Sequence, residues 1–264
     1  MFRGDDDDDF TQGSSSKLAS LFGIGKSSQE GNTSLTYTAP KQPKKGRAES
    51  QSVKGQAVGQ SSSQTAPSSA KLSIIAVKAV HTYKLADGNY IAQGKLGAAV
   101  LGNAASQTYQ LLLYKGKQQH VTSARISSAF QFVVQANNYA TFYDDQMQNW
   151  SVMFESSDDA VEFAKEVGLA RVNAVADQTD HKLVVQDLLS GVGSAAGEGD
   201  VVDVCYIAYP LTAGMLGQEV ANTTKSEKPQ RAKLRKGSWE EGLLGVAKGC
   251  KRMIMLPPFL VVRF

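Results

Sequence analysis

The pattern of hydrophobic and polar positions divides the chain into unlike stretches. Residues 1–70 are rich in Ser, Gln, Gly and Lys and hold few branched apolar residues. Such a stretch buries too little surface to offset chain entropy, so a disordered arm is predicted. Two islands interrupt it. Leu18 to Ile24 is short and apolar and suits docking on a partner. Leu35 to Lys45 mixes an extended run with two prolines and a basic cluster. From Leu72 the texture changes. Ile74 to Val80 and Tyr83 are β-branched and aromatic, and Asp87-Gly88 is a hairpin-turn signal. Leu96 to Leu101, Tyr109 to Tyr114, His120 to Ile126, Phe130 to Val134, Tyr139 to Tyr143 and Trp150 to Phe154 follow, separated by turn residues such as Asn137-Asn138. About seven short strands at near ten-residue spacing predict a small antiparallel barrel or sandwich.

A helix is predicted to close this unit. Ser156 with Asp159 fits an N-cap, and Ala160, Phe163, Ala164 and Val167 form one apolar stripe at helical spacing. Gly168, or the Val-Asn-Ala region after it, is the expected stop. Residues 175–182 are polar and read as a linker. A second unit starts at Leu183, with a strand at Val184 to Leu189, a glycine-marked loop, a turn at Gly199-Asp200 and an alternating strand from Val201 to Tyr206. Trp239 opens an acidic turn into a short helix. An apolar strand then runs into Pro257-Pro258. The fold class read from this pattern is mainly β (α+β).

Charge and composition narrow the function classes. The 264 residues carry 28 basic and 25 acidic side chains, a net of +3, too mild for nucleic acid as principal partner. No window approaches the roughly 18 apolar residues of a membrane span. The first residues, Met-Phe-Arg-Gly and then Asp5 to Asp9, are acidic and unlike a secretion signal, which predicts a cytoplasmic location. Cys205 and Cys250 are read as reduced, core-filling thiols. The lysines between 41 and 54 read as a solvated linker, with nuclear import or phosphate binding as the alternative. His81, His120 and His181 lie far apart without metal-ligand spacing, so neither a metal nor any cofactor is expected. Asp144-Asp145 reads as a turn.

The runs Tyr83 to Tyr90, Asn138 to Asp145 and Gln148 to Phe154 resemble a WH1 (EVH1) domain, a pleckstrin-homology-like barrel closed by a C-terminal helix. The resemblance covers 71–175. It implies an aromatic cluster that grips proline-rich peptides, which are stiff and pre-extended and stack on flat rings at low entropic cost. Tyr83 and Tyr90 match two cluster positions. Phe142 and Tyr143 both stand near the third, and a one-residue gap decides between them. Trp150 matches a strand aromatic that packs under the helix.

Over 183–264, the order Asp-Leu, Gly-x-Gly, Gly-Asp, Val-x-Val-x-Tyr, Trp-Glu-Glu-Gly and Pro-Pro resembles the FKBP-type prolyl isomerases. Their reaction lowers a barrier of about 18–20 kcal/mol by binding a twisted amide in a dry aromatic pocket. The resemblance places the pocket floor at Trp239, one wall at Tyr206, and the family's Phe-Asp pair at Val220 and Ala221. One wall is therefore shrunk and the carboxylate lost. The Val-Ile segment before the Trp is missing from Arg235 to Trp239. An incomplete FKBP-like sheet, shortened at its C-terminus, is expected, with Phe259 to Phe264 as a candidate substitute strand. The expected function is a protein-binding adaptor whose isomerase region is inactive or weak; an active isomerase is the alternative. Expected partners are proline-containing peptides and actin-regulatory proteins. Retention of an FK506-like macrolide is not expected. A WH1 domain followed by an FKBP domain implies an association with early endosomes and the actin cytoskeleton.

Overall fold

The computed structural model describes residues 71–116, 119–174, 182–212, 214–226 and 228–260. The arm, most of the 175–182 stretch and the last four residues lie outside them. The described part is mainly β with antiparallel sheets, and Ser157–Asn173 (α1) is its α-helix.

The first region is one seven-stranded sheet. Its strands are β1 (Ser73–Ala86), β2 (Asn89–Asn103), β3 (Thr108–Lys115), β4 (Gln119–Ile126), β5 (Val133–Val134), β6 (Tyr139–Tyr143) and β7 (Asn149–Phe154). They lie in the order β4-β3-β2-β1-β7-β6-β5. The β1–β2 hairpin turns on Asp87 and Gly88 at φ 50° and 77°, the paired positive angles that match strand twist. Two tyrosines lie directly across glycines of β2: Gly97 faces Tyr114 and Gly102 faces Tyr109. A Cβ on Gly97 would meet the Tyr114 ring at 2.2 Å, so only glycine admits the ring there. Burial pushes the Tyr114 hydroxyl up to about 12.

Apolar side chains of alternate strand positions and of α1 share one core. Val80, Leu111, Leu113, Phe142, Val152 and Phe154 from the strands meet Phe163, Ala164 and Val167 of the helix, all 2% exposed or less. α1 starts as its sequence predicts: the Ser156 hydroxyl accepts from the Asp159 N–H at 3.1 Å and donates to the Asp159 carboxylate at 2.7 Å. Gly168 does not stop it. The helix runs on to Asn173 with Ala174 as its cap, in the Val-Asn-Ala region that was the other expected stop, and Gly168 marks a close approach instead: a Cβ there would meet Met253 Cε at 2.4 Å and Gln186 Cβ at 3.1 Å.

That approach belongs to the second region, which is built from two-stranded ladders. β8 (Val184–Leu189) pairs with β15 (Lys251–Met255), β9 (Val201–Val204) with β14 (Gln230–Lys233), β10 (Ile207–Ala208) with β13 (Ala221–Asn222), and β11 (Leu211–Thr212) with β12 (Met215–Leu216). Ala232, Leu234, Trp239, Leu243 and Val246 form its small buried cluster. Arg171 of α1 joins the regions by donating to the Val185 carbonyl at 2.9 Å and to Gln186 Oε1 at 3.1 Å. Gln186 in turn donates to the Phe132 carbonyl at 2.9 Å.

Two expectations need correction here. Cys205 is exposed rather than core-filling, because it sits past the end of β9 where the chain leaves the ladder; Cys250 is half-buried. Phe259 and Leu260, expected to begin a substitute strand, belong instead to the 3-10 turn Pro258–Leu260, where the Leu260 N–H donates to the Pro257 carbonyl at 2.9 Å. The proposed extension over 261–264 lies outside the described residues. Among those residues no helix is long and apolar enough to cross a membrane.

Candidate functional site

Two places bring the candidate residues together. The first is the outer face of the seven-stranded sheet. Phe142, Trp150 and Val152 point inward, so alternation puts their neighbours Tyr143, Asn149 and Ser151 on the opposite face. Across the ladders, Ser151 faces both Thr141 of β6 and Tyr83 of β1, and Tyr143 faces Asn149. Tyr83 and Tyr139 bring their rings to a centroid distance of 6.0 Å at 44°. Tyr90, on β2, donates its hydroxyl to Asn149 Oδ1 at 2.7 Å. Tyr83, Tyr90, Tyr139 and Tyr143 therefore surround a short-side-chain floor in which Ser151 and Thr141 are only 5% and 8% exposed. Tyr90 and Tyr143 keep about half their surface open, at 48% and 51%.

Of the two candidates left open by the one-residue gap, Phe142 is 1% exposed and stacks within the core against Phe130 and Phe132, so it offers no face to a peptide. Tyr143 is the one on the surface. Tyr139 was not singled out by sequence. Its signal was its place two residues before Thr141 and four before Tyr143, the period of one strand face. The hydrogen bond with Tyr83, more than the slight burial, raises the Tyr139 hydroxyl above its ordinary value.

Asp144, read as a turn, holds this face in shape. Its carboxylate accepts from Thr122 Oγ1 at 2.6 Å, Trp150 Nε1 at 2.8 Å, and the N–H groups of Gln146 and Gln148 at 2.9 and 2.8 Å. Burial works to raise its pKa, but these donors outweigh it and hold the carboxyl below the usual range. Asp145 adds a clasp to the far edge: its carboxylate accepts from the Arg125 N–H at 2.7 Å, and its own N–H donates to the Ser123 carbonyl at 3.0 Å. The β6–β7 turn is thereby tied to β4, curling the sheet towards closure.

The second place is the 3-10 turn Trp239–Leu243. Tyr206 and Trp239 lie with ring centroids 6.3 Å apart at 51°. Trp239 is buried among Leu234, Leu243 and Val246. Arg252 secures the turn from β15, donating to the Gly242 and Leu244 carbonyls at 3.2 and 2.6 Å while it pairs with both oxygens of Asp187 at 2.6 and 3.1 Å. Val220 is not gathered here. It is 69% exposed and bonds its N–H to the Ala208 carbonyl at 2.9 Å. A cleft of about 390 Å3 opens beside Trp239, lined by Arg235 to Glu240 on one side and Phe259 and Leu260 on the other. Among the described residues no group of His, Cys, Asp or Glu is placed to hold a metal ion.

Antiparallel sheets and a Trp-based turn are common to many proteins, and it is the sequence that relates the chain to FK506-binding proteins. The chain is a homologue of the FK506-binding protein 15 sequences. It is 43% identical over 268 residues to FK506-binding protein 15 of Homo sapiens and 45% identical over 266 residues to that of Mus musculus, matching 98% and 96% of this chain. It is 26% identical to FK506-binding protein 5 of Dictyostelium discoideum over 92% of its length. The chain spans about a fifth of the human and mouse relatives, 21% of each. No family model matches it. Among solved structures, the Ran-binding domain of the nuclear pore component Nup2 from Ashbya gossypii aligns with 39% of this chain and 98% of that one, at 10% identity and a TM-score of 0.36.

Proposed function

We propose that the chain is a protein-binding adaptor. On this reading 71–175 is a WH1-type, pleckstrin-homology-like domain that takes proline-rich peptides, 1–70 is an arm, and 183–264 is an FKBP-type region that holds proline without twisting it efficiently. Cytoplasmic work at early endosomes and on actin-regulatory partners goes with it. The observation that carries the reading is the tyrosine face, where Tyr83, Tyr90 and Tyr143 stand on one side of the sheet with Tyr139 beside them. Rigid rings around short side chains suit a polyproline helix, which brings preformed ridges and little entropy to lose. Titration of a proline-rich peptide, followed by tyrosine and tryptophan fluorescence, should give a saturable change that Tyr83→Ala weakens about tenfold or more. Absence of saturation, or binding untouched by that substitution, would remove the adaptor reading.

The Tyr206–Trp239 approach at 6.3 Å favours a second reading, an active peptidyl-prolyl isomerase. Against it, Val220 stands open and no carboxylate occupies position 221. A protease-coupled isomerisation assay on a proline peptide separates the two. Turnover matching a complete family member, abolished by Trp239→Ala, would establish catalysis; background rates support retention of binding alone. FK506-like ligands are not proposed, because they need enclosing walls and here Val220 leaves one side open.

A further inference from the structure

Pro40 and Pro43 stand three positions apart in the arm, with Lys41 between them and Lys44-Lys45 directly after. A polyproline helix repeats every three residues and rises about 9 Å in that repeat, so in that form both rings lie on one ridge.

The tyrosine face carries a matching interval. Tyr83 stands across from Ser151 of β7 and Tyr139 from Met153. Tyr143 stands across from Asn149, and Tyr90 reaches the same residue by its hydroxyl. The two ring pairs are thus centred about three strand residues apart, roughly 10 Å. The ends of the face differ in charge. Asp87, in the β1–β2 turn, and Asp145, just beyond Tyr143, are exposed at the Tyr90–Tyr143 end. At the other end His81 faces Lys95, which is paired with Glu155 at 3.1 Å. Lys84 stands on the other side of β1, over the Trp150 ring at 5.8 Å. The acidic end is therefore the one that suits Lys44-Lys45.

The arm joins the sheet at the strand that carries Tyr83. Ser73 opens β1, and Tyr83 lies about 33 Å along it. Residues 46–70, about 25 in number, can stretch to at most about 85 Å, so the segment reaches the face of its own chain. A tether of that length sets a local concentration on the order of 1 mM.

We propose that Pro40 to Lys45 occupies the tyrosine face of its own chain, with Pro40 against Tyr83 and Tyr139, Pro43 against Tyr90 and Tyr143, and Lys44-Lys45 towards Asp87 and Asp145. A partner's proline-rich segment then binds only by displacing it. The inference rests on the reading of that face as a peptide site and names its resident occupant.

The chain and its Pro40→Ala, Pro43→Ala double variant are titrated with acetylated, amidated octaproline by isothermal calorimetry. A segment at about 1 mM fills a face of about 0.1 mM affinity roughly ten to one, and the apparent affinity for a competitor falls by that factor. The double substitution should therefore tighten octaproline binding about tenfold. Lys44→Ala with Lys45→Ala should tighten it less, about threefold, as exposed ion pairs allow; no gain there overturns the assigned direction. Equal affinity in the unaltered chain and the double variant, lost in both on Tyr83→Ala, overturns the proposal and leaves the face a peptide site. No saturable binding to the double variant, or binding that Tyr83→Ala leaves untouched, overturns both. Self-association of the unaltered chain in sedimentation, absent from the double variant, assigns the segment to a second copy and also overturns the proposal.

Discussion

The seven-stranded sheet and the ladders that follow it hide apolar side chains by different means. In the first region 22 buried residues form one cluster under a continuous sheet and a helix. In the second the cluster has five, and the strands pair two by two. Where area is short, directed polar contacts take over: Arg252 alone makes four hydrogen bonds joining β8, β15 and the Trp239 turn. Stability in the first region is therefore spread over many side chains, and in the second it is concentrated in a few.

Substitutions can break that contrast. The largest effect is expected from Phe163→Ala, which empties the shared core at a fully buried position. It should cost about 4 kcal/mol, read by denaturant unfolding. Asp144→Ala comes next, at about 3 kcal/mol, because the Trp150 indole and the Thr122 hydroxyl lose their acceptor together. The same carboxyl gives a pH signature. Its folded pKa is lowered, so its stabilisation is complete above the unfolded value of about 3.9 and is lost as pH falls through the folded value. Asp144→Asn should flatten the acid limb of the stability curve.

Arg252→Ala should cost about 2 kcal/mol, and amide hydrogen exchange should locate the loss in β8, β15 and the Trp239 turn while the first sheet stays protected. Equal deprotection of both regions would show that they unfold as one unit and remove the contrast. The smallest effect is expected from Lys225→Ala. The Lys225–Glu219 pair at 2.8 Å is solvent-exposed, and no change in the thermal midpoint should be measurable.

Much of the sheet was legible because alternation and turn residues agree. Asp87-Gly88, Asn137-Asn138 and the stripe Ala160, Phe163, Ala164, Val167 mark elements whose signals are local. What escaped depends on distant neighbours. Gly168 carries the usual mark of a helix end, but strands 18 and 85 positions onward pack against it and require the missing Cβ. Asp144 looks like any acidic turn residue until Thr122 and Trp150 are brought to it. Phe142 and Tyr143 differ by one position, and on a strand one position exchanges inside for outside. Motif order could not decide between them; the side on which Trp150 and Val152 pack does. In the second region the position of Trp239 was legible from Trp-Glu-Glu-Gly, whereas the open place of Val220 was not, since nothing in Gln218 to Asn222 alternates strongly.

The glycine in mid-helix has a practical consequence. Because α1 presents one side to the sheet and another, through Gly168 and Arg171, to β8 and β15, it works as a party wall. A fragment cut after the helix would leave that wall bare, with a guanidinium that keeps the Ser128 carbonyl but loses its acceptors on β8, and a groove where Met253 had been. Anyone wishing to study the tyrosine face alone should keep β8 and β15, or furnish the helix with a substitute neighbour.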